Sequence, residues 1–219
     1  MKTILITGAG TGLGKELALA YAKKGHTIIL TGRRETPLKE VQELIRQNGG
    51  HAEVYTLDLT KQESVQKTVD TITDAHSVSY LINNAGAGCF GPLSDLAIED
   101  IDLAVQTNVL GTIYLTKALL PHLLEQTEPK IMNIISTAGQ KGKINESVYV
   151  ASKFAVRGFT ESLQKELEGR VTVTATYMGG MDTPFWDETD HIKDKSRLKS
   201  PQQVADTIIK HDTQLEINV

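Results

Sequence analysis

Six short runs of β-branched and aliphatic residues punctuate this chain: KTILIT (2–7), HTIILT (26–31), AEVYTLD (52–58), SYLIN (79–83), KIMNIIS (130–136) and VTVTATY (171–177). Each is bounded by Gly, Asn or charge, the pattern of a buried strand. Helical patterns separate them. One covers Leu13 to Lys24, a second opens with Thr36 as N-cap and Pro37 at the first helical position, and a third lies near Lys61 to Ala75. Longer ones lie near Ile98 to Glu125 and Ser147 to Glu168. Strict alternation of strand and helix implies parallel strands joined by crossover helices, and strands apolar on both sides fit a sheet covered on both faces. The prediction is an α/β fold with a doubly wound parallel sheet flanked by helices. Ligands of such sheets sit at the carboxyl ends of the strands, so the loops after Thr7, Thr31, Asp58, Asn83, Ser136 and Tyr177 should share one rim.

With 219 residues, 40% of them hydrophobic, the chain fits one well-buried domain spanning 1–219. Lys and Arg total 23 against 27 Asp and Glu, and the net charge of -4 gives no general attraction to nucleic acid or to a membrane surface. Cys89, the single cysteine, cannot form an internal disulfide. The opening MKTILITGAG breaks its apolar run at Gly8, too early for a signal peptide or a membrane span, so the expected location is cytoplasmic. A late charged stretch, HIKDKSRLK (191–199), mixes signs as a solvated loop does.

The first rim loop reads TGAGTGLGK (7–15). A Walker loop fails here, because Ala9 stands where its first Gly belongs and Glu16 follows Lys15. The G-x-G-x-x-G spacing fails at Leu13. What remains is Gly8, Gly12 and Gly14 between a strand and an amphipathic helix, where free N–H groups and the helix dipole favour a pyrophosphate. Lys15 reads as a solvated helix residue.

YVASK (149–153) places a phenol and an ammonium one helical turn apart. Free tyrosine titrates near pH ~10, and a neighbouring cation can lower that by roughly 1 to 3 pH units, toward use as a proton donor or acceptor. Ser136 ends a strand upstream, so its hydroxyl and the Tyr149–Lys153 helix can converge on the rim that holds the glycine loop.

TGAGTGLG, NNAG (83–86), Asn108 in QTNVLG, Ser136 in IISTAG and YVASK occur in the order and spacing of the short-chain dehydrogenase/reductase family, which the whole chain resembles. The resemblance implies a single-domain Rossmann-type sheet and an oxidoreductase that interconverts a small-molecule carbonyl and alcohol by hydride transfer from a nicotinamide. Tyr149 would be the general acid or base. Lys153 would hold the nicotinamide ribose and depress the Tyr149 pKa, Ser136 would bond the substrate oxygen, and Asn108 would position a water in a proton relay. Cofactor contacts would come from Gly8, Thr11, Gly12, Leu13 and Gly14, from Asn84 near the adenosine ribose, and from Asp58 and Leu59 at the adenine. Taken alone, Asn108 reads as a helix kink or a satisfied core amide. A non-catalytic dinucleotide-binding regulator on the same fold is the alternative function.

NAD-preferring sites of this fold usually carry an acid at the end of the second strand, where this chain reads LTGRRE. Arg33 and Arg34 match a ribose 2'-phosphate in charge and geometry, which favours NADP(H), with NAD(H) possible because Glu35 follows. The family's Pro-Gly after the sixth strand is here Met178-Gly179, a less rigid turn, with Met181 and Thr183 as contacts to the nicotinamide carboxamide. Residues near 182–200 have the length of a mobile substrate lid. Phe185 and Trp186 in it are either substrate contacts or anchors on the core. No histidine falls in a metal-ligand spacing, His191 reads as solvated, and no metal is expected. By resemblance the long helices pair copies into a homodimer or homotetramer.

Overall fold

The computed structural model describes residues 1–187, 189, 191 and 194–219. The strands are β1 (Thr3–Thr7), β2 (Thr27–Gly32), β3 (His51–Thr56), β4 (Val78–Asn83), β5 (Lys130–Ile134), β6 (Thr172–Tyr177) and β7 (Glu216–Asn218). They pair in parallel as one sheet ordered β3-β2-β1-β4-β5-β6-β7. The helices are α1 (Gly12–Lys23), α2 (Glu35–Gln47), α3 (Gln62–Ala75), α4 (Ile98–Val105), α5 (Thr112–Leu124), α6 (Ser147–Glu166) and α7 (Pro201–Lys210).

Successive strand residues feed opposite faces, as a period of two requires. Ile4, Ile6, Ile28, Leu30, Tyr80 and Ile82 pack against Leu17 of α1, Val41 of α2 and Ile208 of α7. Leu5, Ile29, Leu81, Ile131 and Val173 pack against Val69 of α3, Leu119 of α5 and Leu163 of α6. The near-continuous apolar character of the strands is the product of these two cores.

Two helices differ from their sequence reading. α2 starts at Glu35 with Arg34 as N-cap, ahead of the predicted Thr36, so Pro37 falls third rather than first. Proline is tolerated there because first-turn N–H groups have no intrahelical acceptor, and Glu35 complements the dipole while pairing with Lys39 at 2.9 Å. The predicted helix from Ile98 to Glu125 is divided into α4 and α5 by a π-type turn at Gln106–Gly111. Asn108 lies in that turn with its amide bonded to Ala87, and Gly111 runs so close to Leu59 that a Cβ would come within 2.7 Å of the Leu59 Cβ. The helix is widened where the strand-end loops press on it.

Buried amides and hydroxyls cross the sheet beneath the rim. Asn83 Nδ2 donates to Thr116 Oγ1 at 3.0 Å and to Asn133 Oδ1 at 2.8 Å, and Asn133 Nδ2 donates to Thr160 Oγ1 at 2.8 Å. This ladder joins β4, α5, β5 and α6.

The strand order reverses between β1 and β4, where a doubly wound sheet opens a crevice. The Thr7 hydroxyl accepts from the N–H groups of Asn84 and Ala85 at 2.9 and 3.0 Å, and Asn84 Nδ2 donates to the Thr7 carbonyl at 2.8 Å. Gly14 makes the adjoining contact possible, since a Cβ there would sit 2.3 Å from the Gly8 oxygen and 2.6 Å from Asn84 Nδ2. Gly14→Ala should therefore lower unfolding free energy by ~1–3 kcal/mol or more through forced overpacking, despite the better helix propensity of Ala. Chemical denaturation checks this, and an unchanged or higher midpoint would contradict it.

Candidate active site

A cleft of about 670 Å³ runs along the carboxyl ends of the strands, within the ordinary size range of a ligand site. Its lining includes Gly8, Thr11, Gly12, Leu13, Arg33, Arg34, Asp58, Leu59, Asn84, Ser136, Tyr149, Lys153, Met181 and Thr183. Two of the predicted residues do not line it. Gly14 contributes packing, and Asn108 is buried behind Ala87.

At one end stands the glycine loop. Gly8 and Gly12 adopt φ of 64° and 52°, conformations that glycine reaches without a Cβ penalty. Thr11 precedes α1 without a side-chain cap, so the first N–H groups of the helix carry its positive dipole end into the cleft. Arg33 and Arg34 are exposed on the same wall, and neither forms an ion pair among the described residues. Burial would raise the Asp58 carboxyl, but hydrogen bonds from the Thr60 hydroxyl and N–H, with the charges of Lys61 and Arg33, bring it below its ordinary value.

At the other end are Ser136, Tyr149 and Lys153. Ser136 follows β5 with φ 153° and ψ 158°, a region costing ~1–3 kcal/mol for a residue with a side chain. Neighbouring bonds hold it there: Ile135 N–H donates to the Thr176 carbonyl at 2.8 Å, Thr137 N–H to the Met178 carbonyl at 2.9 Å, and Ala138 N–H to the Ser136 hydroxyl at 3.1 Å. Met178 thus anchors the serine turn through its carbonyl although it lacks the ring of the family's proline.

Tyr149 and Lys153 lie one turn apart on α6, both buried. The titration of Tyr149 runs against the expectation from its lysine neighbour. Burial pushes the phenol well above its ordinary value, a hydrogen bond with Ser136 partly opposes this, and the Glu146 carboxylate adds to the rise. Lys153, 5.7 Å from the phenol ring centre, is itself pushed down to about 8 by burial, with its ammonium donating to the Ile134 carbonyl at 3.2 Å. Burial dominates both titrations and favours the neutral phenol at Tyr149.

Asn108 acts at one remove. Its Oδ1 accepts from Ala87 N–H at 2.7 Å, and its Nδ2 donates to the Ala87 carbonyl at 2.9 Å and to Ser152 Oγ at 3.0 Å. Ser152 Oγ in turn donates to the Tyr149 carbonyl at 2.7 Å. With its amide fully engaged, the Asn108 side chain fastens the loop after β4 to the Tyr149 helix, and it is the satisfied core amide in a widened helix.

The lid stretch 182–200 includes Glu188, Asp190, Ile192 and Lys193, which lie outside the described residues. Its beginning is tied down: Asp182 N–H donates to the Lys199 carbonyl at 3.0 Å, and buried Trp186 donates its indole N–H to the Met181 carbonyl at 2.9 Å. Trp186 is anchored on the core and, like Phe185, also lines the cleft. His191 is not freely solvated as its sequence context suggested; its Nε2 bonds Glu146 Oε1 at 3.0 Å and its ring stacks on Phe90. Phe90, Lys143 and Glu146 line the cleft without having been singled out from the sequence. Only their proximity to NNAG and YVASK could have signalled them.

The family model described as short chain dehydrogenase matches residues 2–194. The uncharacterized oxidoreductase YxnA of Bacillus subtilis is 32% identical over 95% of this chain, which spans 62% of that relative. The sepiapterin reductase of Chlorobaculum tepidum is 31% identical, over 94% of this chain and 88% of its own. A short-chain dehydrogenase of Shigella flexneri, solved in complex with NADP, superposes with a TM-score of 0.90 at 31% identity, over 99% of this chain and 96% of its own. Among the described residues no helix is long and apolar enough to cross a membrane. The glycine loop, the buried Ser136–Tyr149–Lys153 group and this match across the chain make it a member of the short-chain dehydrogenase/reductase family of NAD(P)-dependent oxidoreductases.

Proposed function

We propose that this protein is an NADPH-preferring reductase of a small-molecule carbonyl, with Tyr149 as the proton donor and the reverse oxidation available to the same groups. The observation that carries the reading is one cleft with Arg33 and Arg34, which form no ion pair among the described residues, at one end and Ser136, Tyr149 and Lys153 at the other. The residues fit the dinucleotide. Gly8 and Gly12 leave the backbone open, the uncapped start of α1 suits a pyrophosphate, and Arg33 and Arg34 suit a 2'-phosphate. Asp58, Leu59 and Asn84 would border the adenosine, and Lys153, Met181 and Thr183 the nicotinamide end. The relative from Shigella flexneri, solved with NADP, supports the same choice.

NADPH when bound supplies the hydride that reduces the carbonyl carbon. The chain supplies orientation and a proton. Ser136 donates a hydrogen bond to the substrate oxygen, and Tyr149, kept neutral by burial, transfers its phenolic proton to that oxygen as negative charge develops. Lys153 places a cation beneath the phenol at pH values below about 8, which steadies the phenolate left behind. Asn108 fixes the geometry through Ala87 and Ser152. Copies would pair through the exposed apolar residues of α4 and α6, Ile98 and Phe154, as a homodimer or homotetramer in the cytoplasm.

With NADPH and a panel of aldehydes and ketones, Tyr149→Phe should lower kcat about 10²- to 10⁴-fold with NADPH affinity retained. Turnover equal to the parent's would remove Tyr149 from the mechanism, and tight NADPH binding with no turnover on a broad panel would favour the regulator. NADPH should bind more tightly than NADH by titration, and Arg33→Ala should narrow that gap; equal affinities in the parent would overturn the preference.

Lys153 also makes a stability prediction. Its folded value of about 8 lies below the ordinary 10.5, so between those pH values the unfolded chain holds a proton that the native state does not, and native stability rises with pH across that window. Below about 8 the native state carries a desolvated ammonium at a cost. Lys153→Met should therefore be more stable than the parent at neutral pH by ~1–3 kcal/mol, with the difference shrinking toward pH 10.5. Denaturation of both proteins across this range checks it, and a variant less stable at neutral pH would refute it.

A further inference from the structure

Beyond Ser136 and Tyr149 the cleft continues into a chamber with aromatic walls. Phe90 and Phe185 are half-buried and line it, with ring centres 5.1 and 6.0 Å from that of Tyr149. Trp186, which lines the cleft with them, stacks on Phe90 at 5.1 Å and 30°, and His191 stacks on the same ring at 4.8 Å and 12°. The position of Phe90 depends on Gly88, where a Cβ would come within 2.4 Å of the ring. Leu96, Leu103 and Leu198 complete the apolar lining.

The charges of this chamber are committed or acidic. Glu146 bonds His191 at 3.0 Å and lies 3.9 Å from the Lys143 ammonium, which also donates to Thr137 Oγ1 at 3.2 Å. Asp100 lines the cleft as well. At this end the lysines among the described lining residues are Lys143, paired with Glu146, and Lys153, placed beneath the phenol. Among the described lining residues, a carboxylate or phosphate on the substrate would therefore meet two acidic side chains and no uncommitted cation.

We propose that this chamber selects an uncharged, ring-bearing carbonyl compound, the ring lying against Phe90 and Phe185 and the carbonyl oxygen between Ser136 and Tyr149. The inference rests on the carbonyl-reductase reading above and names its substrate class. Phe90 and Phe185 are the specificity-determining side chains, and Gly88 is the residue that lets the Phe90 ring take its place.

Three ketones isolate the chemistry: phenylacetone, its cyclohexyl counterpart of similar shape, and phenylpyruvate, in which a carboxylate replaces the methyl group. Trp186 is the only tryptophan of the chain, so its emission reports binding at this chamber without requiring turnover. The holoprotein with NADPH should reduce phenylacetone with a kcat/KM about tenfold above the cyclohexyl ketone and further above phenylpyruvate. Phenylacetone should also change Trp186 emission at the lowest concentration of the three. Phe90→Leu, which keeps apolar bulk without the ring, and Gly88→Ala, which displaces the ring without removing it, should each bring the phenyl-to-cyclohexyl ratio toward one. Reduction without preference for phenylacetone, or a preference unchanged in both variants, overturns the inference and leaves the reductase reading standing. Phe90-dependent emission changes with no turnover of any carbonyl sink the reductase reading and retain the chamber's selectivity.

Discussion

The cleft depends on the bond set between Thr7 and the loop after β4. One hydroxyl takes two backbone N–H groups, and the Asn84 amide returns a bond to the Thr7 carbonyl. Loops at a strand-order reversal diverge toward helices on opposite faces, and without a cross-link the crevice between them would have no fixed width. Gly14 sets the third side by letting α1 start almost against the Gly8 carbonyl. Everything that follows, from the direction of the α1 dipole to the span between Arg33 and Tyr149, is measured from this junction.

At the far end, desolvation sets the titration of the two facing groups. Tyr149 and Lys153 are both buried, and burial moves their titrations in opposite directions, the phenol up and the ammonium down. Both groups are drawn toward neutrality, because burial disfavours the charged form of each. The strained backbone at Ser136 belongs to the same economy, since bonds from Ile135, Thr137 and Ala138 hold the hydroxyl in place before any substrate arrives.

Much of this was legible in the residue order. Strand and helix periodicity reported the sheet because the two cores demand it, and the glycine spacing together with YVASK reported both ends of the cleft. What was not legible arises from contacts between distant segments. The widened turn at Asn108 reflects pressure from Ala87 and Leu59, neither of them near in sequence. The direction of the Tyr149 shift depends on burial, which a one-turn spacing to lysine does not encode. Pro37 suggested a helix start two residues late because the first turn accepts proline at more than one position. His191 read as solvent-exposed within a charged run, yet Glu146 and Phe90 enclose it.

The ladder from Asn83 through Asn133 to Thr160 has a consequence for the helix that carries Tyr149. Apolar packing between a helix and a sheet is tolerant: methyl groups can slide or roll past one another at modest expense. Directed bonds from amide to amide to hydroxyl admit one angular setting of α6 about its own axis. That setting decides whether the phenol and the ammonium face the rim or the neighbouring helix. The ladder works as an index pin, converting the rigid spacing of two strands into the rotational phase of the helix that carries Tyr149 and Lys153.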